Sequence, residues 1–515
     1  MNPTNIQIDG LTIRGAHPNY QFTDTNGVVL AYTDFGACIW VEQGQGVVIA
    51  DNEITDCSQG IFTKSIDNGD SAITKNIRIA GNYFHNNGIS GQFLKHDTYT
   101  ESAGIVYEFN RFATQKVGAA GNAIKDRSAG TVIRYNRIEV GAHALDLVEA
   151  DASGPIAVLD PAYRKTFVYG NQIIHNGNDG TAVHYGGDLS GGESQWRKGV
   201  LYFFNNSVRI TGTGAAQLFQ LSTTQETAYV WNNVFLFDST VQYASMRANQ
   251  DATPPYVSGG ILNLGKNWIV SNWADSDPFH PVSGQLNGSA NMITGTVFPV
   301  DPDTFIPIQN SVIIDAGTAP PAAAAADVAA HIVDRQLDLV FMPKIRSVLG
   351  NAVDLGAIET ISLPSTPTNV IATAGNGQAT ISFSPPANDG GDPVANYTVT
   401  CNPGTITTTG SSPVIVQGLV NAMAYNCNVT ARNSVGVGPA STTRDGVCNR
   451  RRVGSDRQCH APSFRQHGYC DPRWRTRQQA RDSFTCKRQR CGVERNRVFG
   501  VLDWGRQQYA TSELK

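Results

Sequence analysis

Charge is scarce in this chain of 515 residues. Charged side chains make up only 16% of it, which disfavours helical bundles and coiled coils, whose surfaces are rich in Lys and Glu. Long apolar runs are lacking too: no stretch of 18 apolar residues occurs, which excludes a transmembrane helix. The start, Met1 to Ile6, has neither the basic region nor the apolar stretch of a secretory signal. Either the protein stays inside the cell or its natural beginning is missing. Cysteine is sparse before position 444, where it is confined to Cys38, Cys57, Cys401 and Cys427. What the chain has in quantity is glycine (51) and apolar residues (41%), enough for a large core and against wholesale disorder. Its length calls for more than one domain.

The net charge of −4 conceals an asymmetry. Residues 444–515 hold 17 Lys+Arg against 7 Asp+Glu, leaving 22 against 36 for residues 1–443. The tail's arginines, with Phe464, Tyr469 and Trp474, suit a nucleic-acid patch, and Cys459, His460, His467, Cys470, Cys486 and Cys491 suit a metal site. The cysteine and histidine spacings match no regular zinc pattern, and no periodic apolar face is present. A frameshift explains the composition better. With permitted codons chosen, residues 489–503 can be read one frame on as an echo of 388–400, so the tail is expected to be unstructured, with no nucleic-acid partner.

An Asn, one variable residue and a β-branched or aromatic residue recur after alternating apolar positions. The motif stands at Asn52, Asn82, Asn110, Asn136, Asn171, Asn206 and Asn233, with a weaker copy at Asn267. The spacings are 30, 28, 26, 35, 35, 27 and 34 residues. Short period-two runs broken by Gly and Asn predict strands and turns, with one Asn per rung forming an internal ladder. This pattern resembles the right-handed parallel β-helix of pectate lyases and related carbohydrate enzymes, over residues 1–360. Residues 319–330 are expected to form a short helix or excursion, and 352–359 resemble a closing strand. Residues 364–443 resemble a fibronectin type III sandwich, with Tyr425 at the tyrosine corner, Phe383 where that family usually has Trp, and Cys401 and Cys427 on neighbouring strands able to form a disulfide. The fold class is therefore all-β: a parallel β-helix, a sandwich and a tail.

Equivalent strands stack their outward residues in columns about 4.8 Å apart. Counting on from each Asn aligns Thr63, Lys95, Lys125, Asp146, His184 and Gln220 in one column, and Ser65, Asp97, Arg127, Val148, Gly186 and Ser222 in the next. Titratable groups thus converge on the middle rungs, walled by insertions after Glu149 and His184. That suits β-elimination, in which a cation neutralises a uronate carboxylate while a base removes the adjacent proton. Lys125, its pKa lowered by Arg127 and Lys95, is the expected base. Arg127 or Lys95 is expected to hold the carboxylate, and His184 or Tyr185 to protonate the leaving oxygen. His96 and Asp97 complete the substrate-binding set. Asp146, Glu149 and Asp151 are candidate oxygen ligands for calcium. The string 122–149 is similar to the catalytic rungs of chondroitinase B-type and alginate lyases, with Arg127 near their Lys position and Val148 where their Arg stands. The resemblance implies a secreted, periplasmic or surface-located polysaccharide lyase, expected to be a monomer, acting on an acidic polysaccharide. The same scaffold serves uronan epimerases, glycoside hydrolases and non-enzymatic glycan-binding adhesins.

Overall fold

A computed structural model describes residues 3–188, 193–248, 259–441 and 447–448. The basic tail, residues 444–515, lies outside the described residues apart from the short strand Val447–Cys448.

Among the described residues the solenoid has two ten-stranded sheets and one of eight, every strand paired in parallel with its counterpart one rung away. The sequence explains why. In Lys75–Ala80, Ile77 and Ile79 point inward while Arg78 faces out, and the register carries Ile79 onto Tyr107, Ile133, Val168, Phe203 and Val230. Each is essentially inaccessible to solvent. Burying one such side chain stabilises the fold by about 1.5–3 kcal/mol, and the interior column repeats that at every rung.

The turn between the first two sheets is tight and the same on most rungs. The residue before each of the first seven ladder Asn adopts a left-handed conformation: Asp51, Gly81, Phe109, Tyr135, Gly170, Asn205 and Asn232. Glycine accepts this freely at 81 and 170, whereas Phe109 and Tyr135 oppose it and recover by stacking their rings at 5.3 Å. The turn buries the following Asn, and the expected ladder forms. Each amide nitrogen donates to the next carboxamide oxygen at 2.9–3.1 Å, unbroken from Asn52 to Asn267.

Residues 319–330 supply the short helix Ala325–Val328. Ala324 and Val328 cover an outward aromatic stack on the first sheet that includes Phe167, Tyr169, Tyr202 and Phe204. Residues 352–359 correct the expectation of a closing strand. They form no strand, and instead Leu355, Ala357 and Ile358 join the interior while Arg346 bonds Glu359. The sandwich follows with its own core, including Phe383, Val399, Val416 and Val429. Cys401 pairs with Cys427 in strand register and by a disulfide, and the Tyr425 hydroxyl accepts a hydrogen bond from the Val420 amide. A second disulfide, Cys38–Cys57, crosses the first rungs of the solenoid; the sequence reading did not pair these residues.

Candidate functional site

The outward column of the third sheet reads Trp40, Phe62, Tyr99, Lys125, Asp146, His184, Gln220. Its strand neighbours Ile61, Ile124, Leu145 and Val183 fill the core, so the two-residue period sends these side chains outward. Lys125, Asp146, His184 and Gln220 stand as the sequence aligned them. The first positions do not. Thr63 faces inward and bonds Glu101, one residue out of step, and Tyr99 stands where Lys95 was expected, because the segment 86–97 lengthens that rung.

Two insertions cover the charged end. The first, after Glu149, carries the helix Gly154–Leu159 and is tied down by Glu101, whose carboxylate accepts from the Asp151 and Ser153 amides. The second, after His184, is pinned by fully buried Arg197, which donates to the carbonyls of Asp126, Ser128 and Val148. The second insertion also delivers Asp188, which the sequence reading missed. Its carboxylate lies between the two cations, with Oδ2 2.7 Å from Lys125 Nζ and Oδ1 3.2 Å from Arg127 Nη2. Lys125 also meets Asp146 at 2.5 Å. Arg127 donates to the Glu149 carbonyl at 2.7 Å and, through Nε, to the Tyr99 hydroxyl at 3.1 Å.

These partners set the protonation states. Burial works against the Lys125 ammonium, but Asp146 and Asp188 outweigh it and hold its pKa above the ordinary value. Lys125 is therefore a cation, which corrects its expected role as a neutral base. Burial likewise opposes ionisation of Asp146, yet Lys125 and His184 hold its pKa well below the usual carboxylate range. Since Asp146 is ionised, the hydrogen in its 2.9 Å contact with His184 sits on Nδ1. Nε2 then faces the Ser222 hydroxyl at 3.0 Å. Asn122 donates to Asp146 at 2.6 Å and fixes its other oxygen. Sequence reasoning missed Asn122 and His143 as well, and gave Ser222 no role.

The remaining candidates lie elsewhere. Lys95 is buried with its ammonium 3.6 Å from the Phe35 ring centre and 3.6 Å from Asp34, outside the clamp that Lys125 and Arg127 form around Asp188. Tyr185 points into the core, as alternation with His184 requires, and is no substrate contact. His96 is buried and accepts from the Asn122 amide; burial brings its pKa down to about 3, so it is a neutral structural group. The calcium set does not assemble either. Asp151 is exposed, Glu149 accepts from the Asp188 amide, and Asp146 is saturated by Lys125, Asn122 and His184. His143 also lies beside Asp146 and His184, one potential ligand atom from each within 4.8 Å of the others, but the Asp146 and His184 atoms are already engaged by these bonds.

Asp97 is buried too, accepting from Asn87 and Gln115. Burial raises its pKa to about 7 despite those bonds. A carboxyl raised this way adds stability at low pH that is lost between its unfolded value near 3.8 and about 7. Asn offers one acceptor where Asp97 offers two, so Asp97→Asn is expected to lose one of these bonds at both pH values and to be more favourable at pH 8.5 than at pH 4 by roughly 3–4 kcal/mol. Urea unfolding at the two pH values checks this, and an equal shift at both overturns it.

Residues 365–447 match the family model of the fibronectin type III domain. No curated protein matches the chain. Among solved structures, a titin fragment is similar at 20% identity and a TM-score of 0.17, over 18% of this chain and 35% of that one. The twitchin kinase region from C. elegans is similar at 24% identity and a TM-score of 0.16, over 18% and 19%. The fn3 domain of human collagen alpha-1(XX) is similar at 21% identity and a TM-score of 0.15, over 18% of this chain and 93% of that chain. The chain thus spans about a third or less of the titin and twitchin chains it matches. Among the described residues, no helix is long and apolar enough to cross a membrane.

Proposed function

We propose that this is a carbohydrate-active protein of an oxidising compartment whose solenoid binds a uronic-acid polymer at Lys125 and Arg127 and cleaves it by β-elimination. The observation that carries the reading is the Asp188 carboxylate held between the two cations. Asp188 is the most exposed member of the cluster, its side chain 26% accessible, and its carboxylate stands in for that of a uronate. Lys125 and Arg127 already face three carboxylates, those of Asp146, Glu149 and Asp188. A substrate carboxylate therefore enters by exchange with Asp188, because adding a fourth anion is electrostatically unfavourable.

With a uronate in that position, Lys125 and Arg127 withdraw charge from its carboxylate and acidify the C5 hydrogen. His184 Nε2 takes that proton and Asp146 supports the imidazolium formed. The C5–H electron pair becomes the C4–C5 double bond, the C4–O4 bond breaks, and O4 leaves with the proton returned by His184. The two disulfides and the fibronectin type III domain fit a secreted, periplasmic or surface location.

One observation favours a second reading, a non-enzymatic glycan-binding surface protein. Lys125, Asp146 and His184 are only 5%, 2% and 3% exposed, as in an ion-pair network that only shapes a binding face. Incubating the full chain with alginate, pectate and chondroitin separates the two. Growth of unsaturated-product absorbance in the near ultraviolet is the expected result. Binding without turnover supports the second reading, and neither binding nor turnover overturns both.

A further inference from the structure

Resting on that reading, we infer that Trp40, Phe62 and Tyr99 form a stacking track that binds the non-reacting sugars of the same acidic polysaccharide chain. The three residues occupy successive rungs of the column that continues into Lys125, so the track and the clamp are one continuous surface. Trp40 and Phe62 have ring centres 4.2 Å apart, and Phe62 meets Tyr99 edge-on at 5.2 Å. Tyr99 ends the series beneath the Arg127 guanidinium, 5.6 Å from its ring centre. Accessibility falls along the column, from exposed Trp40 through half-buried Phe62 and Tyr99 to buried Lys125.

An aromatic ladder has a purely structural use, and this fold contains one for comparison. The stack on the first sheet is roofed by Ala324 and Val328, as dispersion and the hydrophobic effect require of so much apolar surface. The third-sheet ladder is left open instead, with Trp40 49% exposed. Its orientation is nevertheless fixed, because the indole Nε1 donates to Glu42 at 3.0 Å. Glu42 and Lys64 lie level with each other beside the rings, a polar margin for sugar hydroxyls. An oriented, open aromatic face with a polar margin suits the apolar C–H face of a pyranose ring. The cationic end selects a chain that also carries carboxylates. Three rungs span about 10 Å, the reach of roughly two sugar rings beyond the clamp.

Affinity electrophoresis of the full chain through gels containing alginate, pectate or chondroitin tests the track. Trp40→Ala is expected to weaken retardation by the polymer that retards the wild-type protein, by about tenfold in apparent Kd. Trp40→Tyr is expected to restore most of it, which excludes a folding defect as the cause. Binding of the shortest retained oligosaccharide, too short to reach Trp40, is expected to stay unchanged. Arg127→Met separates the two proposals. If it abolishes retardation while Trp40→Ala does not weaken it, the clamp stands and the track is overturned. If only Trp40→Ala weakens retardation, the track stands and the clamp reading fails. Absence of wild-type retardation in all three polymers overturns the track as well.

Discussion

Arg127→Met is expected to lower turnover of the acidic polymer by about 10²–10³-fold, the usual effect of removing one donor aimed at charge that develops in the transition state. Methionine keeps much of the side chain's bulk but has no donor, and it leaves three contacts without their partner: the Glu149 carbonyl, the Asp188 carboxylate and the Tyr99 hydroxyl. Leaving buried Glu149 beside a missing cation also destabilises the fold by up to roughly 3 kcal/mol. Turnover is therefore compared at a temperature where the variant remains folded. Asp188→Ala separates the catalytic from the structural effect, because it moves binding the other way. Lys125 keeps Asp146 and Arg127 keeps Glu149, so neither cation is orphaned. The internal competitor is gone, however, and the site no longer spends most of its time occupied. Apparent affinity is expected to rise about tenfold with kcat little changed. Loss of binding in Asp188→Ala would mean that Asp188 orders the site rather than standing in for the ligand. Steady-state kinetics on the polymer, reporting KM and kcat separately, decides between these outcomes.

The repeat made the fold legible because its physical constraint is local: a left-handed residue and an Asn at each tight turn, followed by a two-residue period. The same period placed Lys125, Asp146 and His184 on one outward line wherever the stretch from Asn to strand kept its length. It failed at Lys95, where residues 86–97 add chain that no periodicity announces, and at Thr63 by a single residue, enough to reverse the face. Tyr185 was recoverable, since a residue next to an outward histidine in a strand must face in. The sign of the Lys125 shift was partly recoverable. Asp146, the larger opposite charge, already stood beside Lys125 in the aligned column and was passed over for the like-charge repulsion of Arg127. Asp188, which adds to it, was hidden, because it reaches the site from an insertion 63 residues further along the chain. The Cys38–Cys57 bridge was missed for a related reason: Cys38 follows an antiparallel hairpin, Gln21–Thr23 with Val29–Ala31, that lies outside the repeat, so no rung alignment set it beside Cys57, 19 positions on.

The ladder that made the repeat visible should also dominate stability. Asn136→Leu is expected to destabilise the solenoid by about 4 kcal/mol, well above the usual effect of losing one hydrogen bond. The Asn136 oxygen accepts from the Asn110 backbone amide and side chain, and its nitrogen donates to the carbonyls of Tyr107 and Arg134 and to Asn171. Leucine has nearly the same volume but leaves those groups buried without this partner, in an interior that water does not reach. Position along the ladder should grade the effect. Asn52 opens the series and, among the described residues, its oxygen accepts only from the Leu11 amide, near the surface, so Asn52→Leu is expected to cost about 2 kcal/mol. Urea unfolding of the two variants measures the difference. A gap wider than the difference in bonds removed means that the amides polarise one another through the stack, so that a break at Asn136 also loosens the rungs carrying Lys125 and Asp146. Losses in proportion to the bonds removed would mean that each turn is held by its own bonds, and the charged column would then keep its register whatever happens in the ladder.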